Sequence, residues 1–137
     1  MEVRRATPDD LDLILGAGHL FDGPPDAATT AEFLSDPRHH LFVAPYGRPL
    51  GFLSALDYIH PDKPRAFWIN ELGVDARARR QGIATALILA AETHARSLGC
   101  TEIWVLADPT EEALGFYASL GWAREGSHIA MFTKALT

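Results

Sequence analysis

At 137 residues, with 47% hydrophobic and 22% charged content, the chain suits one globular domain and can bury a core without a disulfide or metal staple. Its 12 Lys and Arg against 18 Asp and Glu leave a formal charge of −6, which argues against general nucleic-acid binding and is compatible with a cationic small substrate. The one cysteine, Cys100, excludes an internal disulfide, and no run of 18 apolar residues predicts a membrane span.

Residues 3–5 read as a short first strand. Thr7, Pro8 and Asp9-Asp10 open a helix, and Leu11, Ile14, Leu15 and Gly18 carry its spacing to about residue 19. A loop at 21–25 leads to a second helix over 26–34. Strands over 40–44 and 50–59 form a hairpin around the turn at 46–49. His60-Pro61-Asp62-Lys63-Pro64 reads as a loop, and 66–74 as the third strand of an antiparallel run. A long helix starts at Gly82 or Ile83 and ends near Leu98, with Gly99 just beyond it. Residues 101–107 form a strand, parallel to 66–74 by the strand–helix–strand order. Thr110 caps a helix over 111–120, and 129–135 supply a last strand. The fold class is α/β in the broad α+β sense, with a mixed sheet and flanking helices in a single domain over 1–137. The first residues predict no signal sequence, and the expected location is the cytoplasm.

The most informative stretch is Arg77-Ala78-Arg79-Arg80-Gln81-Gly82-Ile83-Ala84-Thr85. It joins a strand to a helix start, where the first N–H groups have no intrahelical partner and the helix dipole favours an anion. Gly82 lets a ligand approach the backbone, Ala84 does not obstruct it, and Arg77, Arg79 and Arg80 add charge. The physical reading is a pyrophosphate site. It is not a Walker loop, because no Gly-Lys-Ser/Thr follows, and it lacks the Gly-x-Gly-x-x-Gly dinucleotide fingerprint.

Arg79-x-x-Gly82-x-Ala84 resembles the acetyl-CoA pyrophosphate loop of the GNAT superfamily of N-acetyltransferases. Glu71-Leu72-Gly73-Val74 before it and Phe116-Tyr117-x-x-Leu120-Gly121-Trp122 after it strengthen the resemblance, which covers essentially the whole chain. The resemblance implies strands four and five that splay apart around the pantetheine arm. Leu72, Gly73 and Val74 would then lie against pantetheine and thioester, and Arg79, Arg80, Gln81, Gly82, Ile83, Ala84 and Thr85 around the pyrophosphate. It implies Tyr117 near the CoA sulfur, where a phenol of pKa about 10 can return a proton to the thiolate. Core packing beside Phe116 and Leu120 is the plainer role for this tyrosine. A backbone N–H near Leu72 or Gly73 would face the oxyanion. Glu71 would meet the acceptor amine, as its base or only as its charge partner.

A closer resemblance joins Asp57-Tyr58-Ile59-His60-Pro61 and Ile69-x-Glu71-Leu72-x-Val74 to the run Arg79-Arg80-Gln81-Gly82-Ile83-Ala84-Thr85-Ala86-Leu87-Ile88. These are similar to the gentamicin-type aminoglycoside 3-N-acetyltransferases. The resemblance implies a small cationic amine as substrate, with Glu71, Asp57, Tyr58 and Asp108 on the acceptor side. It implies acetyl-CoA as the cofactor and neither nucleic acid nor membrane as partner, and it is compatible with a homodimer. Two departures stand out: Ala107-Asp108-Pro109 replaces the family's frequent Asn at the end of strand five, and His128 is followed by Ile129-Ala130-Met131-Phe132 rather than by acidic residues. A protein lysine or N-terminal acetyltransferase and a non-catalytic acyl-CoA-binding module remain as alternatives. No metal site is read from His39-His40, whose spacing matches no ligand pattern.

Overall fold

The computed structural model describes all 137 residues, which fall into two compact units, 1–106 and 107–137. The first unit is a five-stranded sheet in the order β1 (Arg4–Arg5), β2 (His39–Ala44), β3 (Gly51–His60), β4 (Lys63–Val74), β5 (Glu102–Val105). All neighbours are antiparallel except β4 and β5, which are parallel. That parallel pair follows from the α3 crossover (Ile83–Ser97) between them.

Two helices serve one face. α1 (Leu11–Leu15) and α2 (Ala27–Ser35) pack Ile14 and Leu34 against Ala6, Leu41, Val43 and Phe52. Asp26 caps α2 by accepting from the Thr29 N–H at 2.8 Å. The expected continuous first helix is instead broken into a 3₁₀ turn over Pro8–Asp10, α1, and a second 3₁₀ turn over Gly18–Leu20. Gly16 and Gly18, poor helix formers, sit at the break.

α3 covers the other face. Leu87, Ile88 and Ala91 are fully buried, and His94 rests edge-on against His40 and Phe42. Gly51 lets the first turn of α3 come close: a Cβ there would stand 2.6 Å from Ile83 Cγ2 and 3.2 Å from Leu87 Cδ1. The expected loop at 60–64 is instead a tight turn inside one long hairpin, with His60 opposite Lys63. The register slips between Tyr58 and His60, beside Pro64, which has no N–H for the ladder.

The second unit holds α4 (Glu111–Ser119), whose N-cap Thr110 accepts from the Ala113 N–H at 3.1 Å. The strand expected over 129–135 does not form. Those residues have no ladder partner, and Ile129, Met131 and Phe132 stand exposed. A short apolar run becomes a strand only where another strand receives its peptide groups. No helix in the chain is long and apolar enough to cross a membrane.

Candidate active site

Two features of β4 determine where Glu71 lies. Ser54 on β3 faces Glu71, but the next residue, Ala55, faces Ile69, so Asn70 is an extra residue, a β-bulge. In an unbroken strand residues 69 and 71 would share a face. Here Ile69 joins Ala55 beneath α3 and is fully buried, while Glu71 shares the opposite face with Ser54 and is exposed. Pairing with β5 ends at the same point: Ile69↔Val105 is the last partner pair, and β4 runs on to Val74. Segment 70–74 therefore has β3 on one side and no strand on the other. Its peptide groups on the open side suit an extended amide-bearing arm, and Leu72, Gly73 and Val74 are half-buried along it.

Beyond Val74 the chain turns sharply. The Asp75 N–H donates to the Leu50 carbonyl at 2.7 Å, and the Asp75 carboxylate takes the Arg77 N–H at 2.9 Å and its guanidinium at 3.2 Å. Those Arg77 hydrogen bonds hold the Asp75 carboxyl below the usual range. Arg77 is thus engaged with Asp75, whereas Arg79, Arg80 and Gln81 extend exposed. Arg80 (φ 62°) and Gly82 (φ 79°) are both left-handed. For Arg80 this conformation costs about 1–2 kcal/mol, the kind of strain that collects at ligand clamps.

Gly82 is the N-cap of α3 and supplies no side-chain cap, so the first N–H groups of the helix, from Ile83, Ala84 and Thr85, lack intrahelical partners. A Cβ on Gly82 would meet nothing within 4 Å. Ile83 is buried and anchors the turn, while Ala84 and Thr85 are half-buried. An uncapped helix start, open space over Gly82 and two exposed guanidiniums make a receptor that fits a pyrophosphate.

Asp57, expected on the acceptor side, lies elsewhere. It points beneath α3, is 3% exposed, and accepts from His40 Nε2 at 2.7 Å and from Arg65 at 2.6 Å. Burial pulls its carboxyl up, but the hydrogen bonds from His40 and Arg65 outweigh that and hold it below the usual range. Arg5 Nε donates to His40 Nδ1 at 2.9 Å. That bond makes His40 the neutral Nε2–H tautomer, and burial pushes its pKa down. The result is a buried chain, Arg5–His40–Asp57–Arg65, that ties β1, β2, β3 and β4 together. Sequence reading did not find it, because its members are 8 to 35 residues apart.

Tyr58 does face the same side of the sheet as Ser54 and Glu71, but four residues along β3 put it about 13 Å from Ser54. Its hydroxyl accepts from Trp104 Nε1 at 2.6 Å. Trp104 stacks on Trp68 with centroids 5.8 Å apart. Nearer Glu71 are two groups missed by the sequence reading: the Ser54 hydroxyl and the Trp68 indole N–H are hidden from water and have no hydrogen-bond partner.

In the second unit, Tyr117 is half-buried among aromatic rings, 5.0 Å from Phe116 and 5.3 Å from Trp122 between centroids. Burial pushes its phenol pKa up. Asp108 is exposed just before α4, and its carbonyl accepts from the Thr110 N–H at 2.8 Å.

Comparison with known proteins adds to this geometry. The profile of the acetyltransferase (GNAT) family matches residues 11–122. No curated protein matches. Among solved structures, the aminoglycoside acetyltransferase meta-AAC0020 from an uncultured soil metagenomic sample, determined with trehalose and with sisomicin, has a TM-score of 0.83 at 23% identity, over 98% of this chain and 95% of that one. The aminoglycoside acetyltransferase HMB0005, also from an uncultured soil sample, has a TM-score of 0.78 at 26% identity, covering 97% of this chain and 98% of its own. The aminoglycoside N-acetyltransferase AAC(6′)-Iy in complex with CoA has a TM-score of 0.78 at 23% identity, covering 99% and 95%. The mixed sheet with its splayed β4–β5 pair is the GNAT fold, and the chain belongs to the acetyltransferase (GNAT) family, whose members use acetyl-CoA, as an N-acetyltransferase.

Proposed function

We propose that the chain transfers the acetyl group of acetyl-CoA to a primary amine of a small cationic molecule, an aminoglycoside at its 3-N position. The observation that carries this reading is the exposed Glu71 carboxylate, turned by the Asn70 bulge to the open face where β4 parts from β5. Acetyl-CoA brings an activated thioester. The open edge of 70–74 would hold its pantetheine arm, and the Gly82 loop with Arg79 and Arg80 its pyrophosphate. Glu71 attracts the ammonium form of the acceptor and takes its proton, directly or through water, leaving a neutral amine that can attack. A backbone N–H near Leu72 or Gly73 stabilises the developing oxyanion. As the new N–C bond forms and the C–S bond breaks, the departing thiolate takes a proton, from the Tyr117 phenol in the role the sequence resemblance assigns to it, and the second proton shed by the attacking nitrogen restores the phenol through water. The net charge of −6 supports a cationic acceptor, and the aminoglycoside acetyltransferases among the similar structures support this substrate class.

The test is acetyl-CoA consumption across aminoglycosides, linear polyamines and lysine peptides, with NMR of the product to locate the acetyl group. Turnover of an aminoglycoside with acetylation at 3-N is the expected result. Turnover confined to peptides overturns the substrate class, and acetylation at another amine overturns the position.

A further inference from the structure

The face that carries Glu71 holds two neighbouring indoles with different fates. Trp104 gives its N–H to the Tyr58 hydroxyl at 2.6 Å. Trp68, stacked on it, gives its N–H to nothing, and neither does Ser54, directly opposite Glu71, find a partner for its hydroxyl. A buried polar group left unpaired costs about 1–3 kcal/mol. Two such groups on one sheet face, flanking a carboxylate at the mouth of a splayed strand pair, are groups whose partner arrives from outside the chain. Both residues are half-buried, but the Ser54 Oγ and Trp68 Nε1 atoms are hidden from water, so a ligand pairs with them only as it displaces the side-chain atoms that cover them.

The donor inventory narrows what that partner is. An indole N–H only donates, and an ammonium group only donates. The acceptor's amine therefore suits Glu71 and cannot satisfy Trp68. The Ser54 hydroxyl both donates and accepts, so it pairs with either kind of group and discriminates little. Resting on the acetyl-transfer reading above, we propose that the acceptor carries an oxygen, of a hydroxyl or a carbonyl, that reaches the Trp68 N–H while its reacting amine sits at Glu71. Trp68 then determines specificity: it favours oxygen-bearing amines such as amino sugars or lysine peptides over oxygen-free polyamines of equal charge.

The three indole N–H resonances of the ¹⁵N-labelled chain, in the presence of CoA, test this directly. Trp68→Phe identifies the Trp68 signal, and Trp104→Phe with Trp122→Phe identifies it by elimination if that variant does not fold. The ligands are 2-deoxystreptamine, its hydroxyl-free analogue cis-1,3-diaminocyclohexane, Nα-acetyl-lysine amide and spermidine. The expected result is a saturable downfield shift of the Trp68 signal with 2-deoxystreptamine or the lysine amide and none with the other two; the arm that responds tells a hydroxyl from a carbonyl source. An equal shift with diaminocyclohexane, or no shift with either oxygen-bearing amine, overturns the proposal. In turnover, Trp68→Phe should lower the kcat/KM ratio of 2-deoxystreptamine to diaminocyclohexane about tenfold, the value of one hydrogen bond. The NMR readout needs no turnover: absence of acetyl transfer to every amine overturns the functional reading, while a shift that ignores oxygen overturns this inference alone.

Discussion

Ile69 and Glu71, two residues apart on one strand, project from opposite faces of the sheet. Strand geometry forbids this unless the pleat is interrupted, and the Asn70 bulge interrupts it where β5 leaves. One inserted residue keeps an isoleucine in the core and delivers a carboxylate to the open side.

That placement makes Glu71→Gln the most direct test of the acceptor chemistry. The variant keeps the size of the side chain and removes its charge and basicity. We expect a loss of kcat/KM toward cationic amines of about 10²-fold or more, with acetyl-CoA affinity retained. If Glu71 is the base, kcat falls and the acidic limb of the pH–rate profile changes. If it only holds charge, KM rises and that limb stays.

Gly82→Val tests the phosphate cradle. The left-handed φ of 79° disfavours any other residue, and the space above Gly82 is open. A side chain there fills the ligand's approach without touching the core. Titration calorimetry should show acetyl-CoA binding weakened at least tenfold, while the backbone strain lowers the melting temperature by several degrees and leaves the fold intact. Unchanged affinity would remove the loop from the cofactor site.

Tyr117→Phe tests the proton donor. If the phenol protonates the leaving thiolate, kcat should fall about 10²–10⁴-fold with cofactor Kd almost unchanged. Near-wild-type turnover, with chemistry rate-limiting, would leave Tyr117 a packing residue beside Phe116 and Trp122.

The buried chain through His40 makes stability depend on pH. The folded-state pKa of His40 lies below its unfolded value of 6.5 because burial disfavours the imidazolium. Above that unfolded value both states are neutral and no stability is lost. As pH falls below it the unfolded chain takes the proton first, so stability drops; His94, also lowered by burial, adds to the same trend. Asp57 adds a second loss at lower pH, as pH falls toward and through its depressed folded-state pKa. Denaturant unfolding from pH 8 to pH 5 should show this slope, and His40→Gln should flatten it. His40→Phe should destabilise the chain by about 1–3 kcal/mol at pH 8, because Arg5 and Asp57 lose the ring nitrogens that join them.

What the sequence determined alone is what depends on neighbours within one turn or one strand. The loop from Arg79 to Ala84 was readable because a helix start, a glycine free of Cβ strain and clustered arginines act over a few residues. The caps at Asp26 and Thr110, the α3 crossover and the parallel partners it joins follow from equally local rules. Contacts between distant segments decided the rest. Asp57 has the sequence context of an acceptor ligand, but His40, 17 residues away, and Arg65 take its carboxylate into the core. The face of Glu71 depends on a single register slip against Ser54, which no composition or periodicity announces. Residues 129–135 read as a strand from their apolar run and form none, because a ladder needs a partner and their own pattern cannot provide one. Trp68 and Trp104 look alike in sequence, and only the fold, by setting Tyr58 beside one of them, leaves the other's N–H without a partner.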